Sequence, residues 1–270
     1  MMFVAVGAVA ACSTPDQIIT APDIPTAGVR FINAVPDTNN MDFRFIDLVE
    51  NSAHYKIGFR NSPSTSGGVT ASTQIEYKNT QAGSRHLRIF LNDTLQSVAS
   101  TILKDTTVTI QAGKLYTAIM YGSARAGNMK FLFLEENIPD PGSNVGLRVL
   151  NTTTGTVEVR TYPTSGVVPA AATFTVPTMS FSAFVNATPG QIRYNVQPPG
   201  GGTTIVPDGL ALIGAPATVD IEGVPGTTQA GSAVTAIIFP PSTPGSKAVQ
   251  FAAPGMSFMW DKRAPRPAGV

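Results

Sequence analysis

From Gly28 onward, apolar and polar positions alternate along the chain in short runs. In "MDFRFID", Met41, Phe43 and Phe45 fall on one face, with Asp42 and Arg44 on the other. That two-residue period is the mark of a strand with one buried face. "HLRIFLN" places Leu87, Ile89 and Leu91 together, and "TTVTIQAG" alternates up to a turn at Ala112-Gly113. "VRFINAV", Val29 to Val35, stops at the turn signal Pro36-Asp37. "KLYTAIMYG" and "MKFLFLEEN" are more continuously apolar, as strands inside a sandwich are. "NSPSTSGG", Asn61 to Gly68, reads as a flexible loop.

After "IPDPGSN", Ile138 to Asn144, the pattern restarts. "GLRVLNTTTGTVEVRTYP" at Gly146 matches "GVRFINAVPDTNNMDFRFID" at Gly28, and "AGSAVTAIIF" at Ala230 matches "AGKLYTAIMY" at Ala112. Each matched pair is separated by the same 84 residues. The expected architecture is all-β: two tandem antiparallel β-sandwich domains, 28–138 and 145–262, each of about seven to nine strands. Residues 263–270 read as a disordered tail. Pro139 and Pro141 stiffen the connection between the two domains, which predicts an end-to-end arrangement.

The N-terminus poses a different question. Met2 to Ala11 is an apolar run of about the length of a signal-peptide core, too short to cross a bilayer. It ends Val9-Ala10-Ala11-Cys12, which resembles the lipobox of bacterial lipoproteins. In that family the cysteine is acylated and becomes the mature N-terminus, so the resemblance implies a signal at 1–11 and a lipid on Cys12. Several acyl chains anchor where one would not. Ser13, where some Gram-negative lipoproteins carry a retention aspartate, favours the outer membrane by the same resemblance. No Lys or Arg precedes the run, so the start lies upstream or the chain is clipped. The competing reading is a buried first strand with an incidental cysteine. Residues 12–27 hold three prolines and no apolar period, and read as an extended tether.

Composition narrows the function. The 270 residues are 43% hydrophobic and 13% charged, against a usual charged share of about 25%. A net charge of +1, from 18 basic and 17 acidic residues, gives no electrostatic case for nucleic acid. With Cys12 the only cysteine, disulfides and cysteine metal sites are excluded.

"VRFINAVPDTNNMDFRF", followed much later by "IQAGKLYTAIMYG", is similar to a bacterial family known as domain of unknown function 4397. Its members typically read Val-Arg-Phe-x-His-Ala-Ser-Pro-Asp near the start, with an Ala-Gly-Lys-x-Tyr-Thr stretch later, often as tandem copies in exported proteins. The first copy keeps Pro36-Asp37, Asp42, Ala112-Gly113-Lys114 and Tyr116-Thr117, with Asn33 where His is usual and Val35 where Ser is usual. The second copy has Thr153-Thr154-Gly155 in place of Pro-Asp. The resemblance implies an immunoglobulin-like sandwich and assigns no activity.

Catalytic candidates are few. His54 and His86 are the two histidines, no GxSxG occurs, and His86 faces opposite to Leu87 and Ile89 in its strand. Glu135, Glu136 and Asp140 are the nearest thing to a calcium cluster, at the domain junction, though a solvated turn explains them as well. Gly200-Gly201-Gly202 lacks the following Lys-Ser/Thr of a phosphate cradle and reads as a hairpin loop. Tyr55, Phe59, Tyr77, Tyr162, Tyr194 and Trp260 either stack on sugars or fill two cores. These observations favour a non-catalytic, cofactor-free envelope protein with a structural or adhesive role, held to the membrane by lipid on Cys12. The alternative is a module that binds a surface glycan or other polymer. An exposed aromatic surface would favour the alternative, and a pocket joining a histidine to an acid would favour an enzyme.

Overall fold

The structure is a computed structural model, which describes residues 24–38, 40–48, 56–61, 75 and 77–266. Cys12, His54, Tyr55 and most of the tether lie outside the described residues. The chain is nearly all β, and among the described residues the one α-helix is the single turn Gln96–Ala99. Four sheets form. The first runs β4 (Lys78–Gln81), β1 (Thr26–Ala34), β7 (Leu115–Tyr121), β8 (Lys130–Glu135). The second runs β3 (Lys56–Gly58), β2 (Asn40–Phe45), β5 (Gly83–Asn92), β6 (Ile102–Ile110). The third runs β12 (Ser180–Phe181), β9 (Val145–Asn151), β16 (Ala233–Phe239), β17 (Gly255–Lys262), with β13 (Val185–Ala187) also on β9. The fourth runs β11 (Phe174–Val176), β10 (Val157–Pro163), β14 (Ile192–Gln197), β15 (Val206–Leu210).

The alternating strands bury the faces their patterns mark. Met41, Phe43 and Phe45 of β2 and Leu87 and Ile89 of β5 meet Val29 and Phe31 of β1 in one core between the first two sheets. Phe31 and Phe43 lie 4.9 Å apart, centroid to centroid. A second core joins the third and fourth sheets, where Tyr194 meets the edge of Phe258 at 5.4 Å.

Two expectations need correcting. The sheets are not antiparallel throughout: β1 runs parallel to β7, and β9 parallel to β16. A two-residue period carries no strand direction, and the long connections through the facing sheet permit a parallel return. The sandwiches also do not stand end to end. Ile32, Ala34 and Ile119 of the first sheet pack with Leu150, Ile237, Phe239 and Met259 of the third, joined by Phe59 and Phe251, in a third core. The layer order is therefore second, first, third, fourth sheet. The reason is in the strands. β7 and β16 are apolar on both faces, so each sandwich core covers one face and the neighbouring sandwich covers the other.

Residues 263–266 also depart from the disordered tail. Arg263 donates to the Gly223 carbonyl at 2.6 Å, and Arg266 pairs with Glu222 at 2.9 Å.

Candidate functional site

At the edge of the third core, each half contributes an arginine, a threonine and an acid to one buried cluster. Arg30 on β1 is level with Thr117 on β7, and Arg148 on β9 is level with Thr235 on β16. In both halves the arginine Nε donates to the threonine hydroxyl 87 positions later, at 2.8 and 2.9 Å. Glu136, just past β8, accepts from Arg30 and Arg148, each at 2.8 Å. Asp261 on β17 accepts from Arg30 at 2.7 Å and Arg148 at 3.0 Å. Thr117 and Thr235 donate to Glu136 and Asp261, each at 2.5 Å. Tyr77 covers Arg30, and Phe181 and Phe184 cover Arg148, at 4.3 to 4.5 Å from guanidinium to ring centre.

Arg30 is fully buried. Burial works against both charges, but each is outweighed by its partners. Asp261 and Glu136 hold the Arg30 pKa above its ordinary value. Arg148 and Arg30, with their hydrogen bonds, bring Glu136 down to about 2. Arg30 and Glu136 are therefore both ionised at neutral pH and act as a clamp between the halves. A second tie between the halves is Arg60, which donates to the carbonyls of Pro240, at 2.7 Å, and Ala253. Burial lowers its pKa to about 10, so it stays charged at neutral pH.

The sequence-derived candidates are placed as follows. Glu136 belongs to the buried clamp, Glu135 pairs with Lys114 at 2.8 Å, and Asp140 pairs with Lys262 at 3.0 Å. The three acids face different partners and do not converge on a common point. His86 is half-buried and pairs with Asp105, which also accepts from Arg88 at 2.7 Å. Gly200 lies in the β14–β15 connection and donates its amide to Glu158 at 3.0 Å. Phe59 and Tyr194 fill cores, and Tyr162 is buried with its hydroxyl on Asp208. Trp260 is half-buried and lines a cavity of about 540 Å³ at the open side of the second sandwich, beside β15.

A family model described as "Domain of unknown function (DUF4397)" matches residues 27–162, half of the chain. The chain belongs to this family. No curated protein matches. A solved structure described as a "putative cell adhesion protein" from Bacteroides fragilis NCTC 9343 aligns over 92% of this chain and 100% of its own, at 11% identity and a TM-score of 0.20.

The DUF4397 motif residues have visible structural work. The arginine of "VRF" and the threonine of "KLYT" are neighbours on parallel strands and form half of the clamp. Asp37 of the Pro-Asp pair accepts from the amides of Ala124 and Arg125 and the hydroxyl of Ser123, closing the turn after β7. Asn33 accepts from the Val35 amide and donates to the Ile57 carbonyl. Its counterpart Asn151 is fully buried and donates to the carbonyls of Gly155, Val176 and Pro177. The clamp was not foreseen. The available signal was an arginine at the third place of both "GVR" and "GLR", inside strands otherwise apolar.

Proposed function

We propose that this chain is a non-catalytic, lipid-anchored protein of the bacterial cell envelope, anchored through Cys12 and displaying two β-sandwiches in a structural or adhesive role. We also read residues 28–138 and 145–262 as two copies of one domain. The observation that carries the reading is the Val9-Ala10-Ala11-Cys12 sequence, placed after an apolar run and before a proline-bearing tether. The fold supports it. The strongest buried charges are spent on joining the two sandwiches, which makes one stiff block to hold above a membrane.

Fractionation of the native host tests this. The protein expressed from its own gene should partition with membranes, and Cys12→Ser should release it or leave it unprocessed. Wild-type protein recovered soluble and unacylated would refute the anchor.

One observation favours a second reading, a glycan- or polymer-binding module of the cell surface. Trp260, one of the aromatic candidates, lines the cavity of about 540 Å³ together with the charged side chains Arg193 and Asp208.

A further inference from the structure

The cavity beside Trp260 lies where β15 and β17, the edge strands of the fourth and third sheets, come together. Leu210, Leu212 and Val224 give it apolar walls, and Arg193 and Asp208 also line it. Its volume of about 540 Å³ falls in the roughly 300–1,000 Å³ range of small-ligand sites. One wall is a hairpin closed by the Ala215–Val224 bridge. Its base is fixed by a close backbone approach: a Cβ on Gly226 would lie 2.3 Å from the Gly214 nitrogen. The wall is thus formed in advance of any ligand.

The polar groups are unequally engaged. Asp208 already accepts from Tyr162 and, at 2.6 Å, from Asn195. The Arg193 guanidinium makes no hydrogen bond or ion pair with the described residues. The Trp260 Nε1–H is buried and has no partner. A second cavity, of about 220 Å³, lies on another side of Trp260 and is lined by Lys262, Arg263 and Tyr77, whose hydroxyl is also unpartnered. Lys262 is taken by Asp140 and Arg263 by the Gly223 carbonyl. Asp261, which lines the same space, is consumed by the two clamp arginines. What remains unsatisfied is an indole, a guanidinium fork and neutral donors.

We propose that this cavity binds an acidic sugar, with the pyranose ring against the Trp260 indole and the ring-borne carboxylate on Arg193. A sugar ring has an apolar C–H face that suits an aromatic platform. A guanidinium without a partner selects a carboxylate, which it grips with two parallel hydrogen bonds. The proposal deepens the glycan-binding reading and rests on it, not on the lipid anchor. A soluble, unlipidated protein would refute the anchor while leaving this site untouched.

Trp260 is the sole tryptophan of the chain, so intrinsic fluorescence reports on this site directly. The purified protein is titrated with trigalacturonate, with neutral galactotriose and with benzoate, and each titration is repeated by calorimetry. The expected result is saturable binding of trigalacturonate that shifts the fluorescence. Arg193→Ala should weaken it about tenfold or more and Arg193→Lys less, both with an unchanged melting temperature. Galactotriose bound as tightly as trigalacturonate overturns the carboxylate requirement. Benzoate bound in place of trigalacturonate overturns the sugar. Trigalacturonate binding that survives Arg193→Ala moves the site elsewhere, and no response to any of the three probes overturns it altogether.

Discussion

Replacing Glu136 by Gln tests the clamp with little change of shape. Both carboxylate oxygens are in use: Oε1 accepts from Arg30 at 2.8 Å and Thr117 at 2.5 Å, and Oε2 accepts from Arg148 at 2.8 Å. The amide turns one acceptor into a donor aimed at an arginine. It also removes a charge, so Arg30 and Arg148 are left to share Asp261. Two routes give the cost. Glu136 is held at about 2 against an ordinary 4.5, which corresponds to roughly 3 kcal/mol of stability at neutral pH. Removing one member of a buried ion pair costs about 3–5 kcal/mol in general. The expected loss is therefore about 3 kcal/mol, read as a lower urea midpoint at unchanged slope. The unfolding should be a single transition, because the third core and the clamp belong to both halves.

The pH dependence makes the test sharper. The folded-state pKa of Glu136 is depressed, so its contribution is complete above the unfolded pKa of about 4.5 and is lost as pH falls towards about 2. The gap between parent and Glu136→Gln should be constant from pH 7 to 5.5, narrow below 4.5, and nearly close by about pH 2. A cost below about 1 kcal/mol at pH 7, or a gap as wide at pH 2.5 as at pH 7, would refute the argument.

Gly255→Ala would put a methyl 2.1 Å from Arg60 Nη1 and push the guanidinium off the carbonyls it serves. Two part-buried charge-assisted bonds are at stake, so a loss of about 2–3 kcal/mol is expected in the same urea assay; a midpoint equal to the parent's would mean that Arg60 is seated elsewhere. Small-angle scattering of residues 24–266 should give a radius of gyration of about 18 Å, the value for a compact chain of this length. A value well above about 22 Å would restore the end-to-end arrangement.

Much of the fold was legible because β-sandwiches write their faces into the residue period. Met41, Phe43 and Phe45 of β2 and Leu87 and Ile89 of β5 are buried as their alternation marks, and the "GVR" and "GLR" strands take the same place in their sheets. What escaped was contact between surfaces. The apolar run in β7 says that both of its faces are covered, but not that the neighbouring sandwich covers one of them. Glu136 was grouped with Glu135 and Asp140 because they are close in sequence. Its true partners come from β1 and β9, and the acid that completes the set comes from β17. Arg193 and Trp260 share a cavity from strands of different sheets, a proximity that no local pattern encodes.

The clamp and the cavity are joined at one irregularity. Along β17, Phe258 points into the second sandwich and Met259 into the third core, as a regular strand requires. The register with β16 then slips, so that Val234 is level with Trp260 and Ala233 with Lys262. Asp261 is the extra residue of this bulge, which bends the strand and re-aims the side chain. It puts Asp261 between the two arginines, while Arg30 also donates to the Trp260 carbonyl at 2.9 Å. The residue that lines the cavity is thereby held by the arginine of the other sandwich. Apolar contact attracts the sandwiches without choosing a direction. Four charges that exchange partners do choose one, because a slide of one strand spacing, about 4.8 Å, would part Arg30 from Asp261 and Arg148 from Glu136, leaving each buried arginine only the acid of its own half. Packing between the sandwiches thus supplies the attraction, the clamp fixes the seat, and the seat fixes the attitude of Trp260.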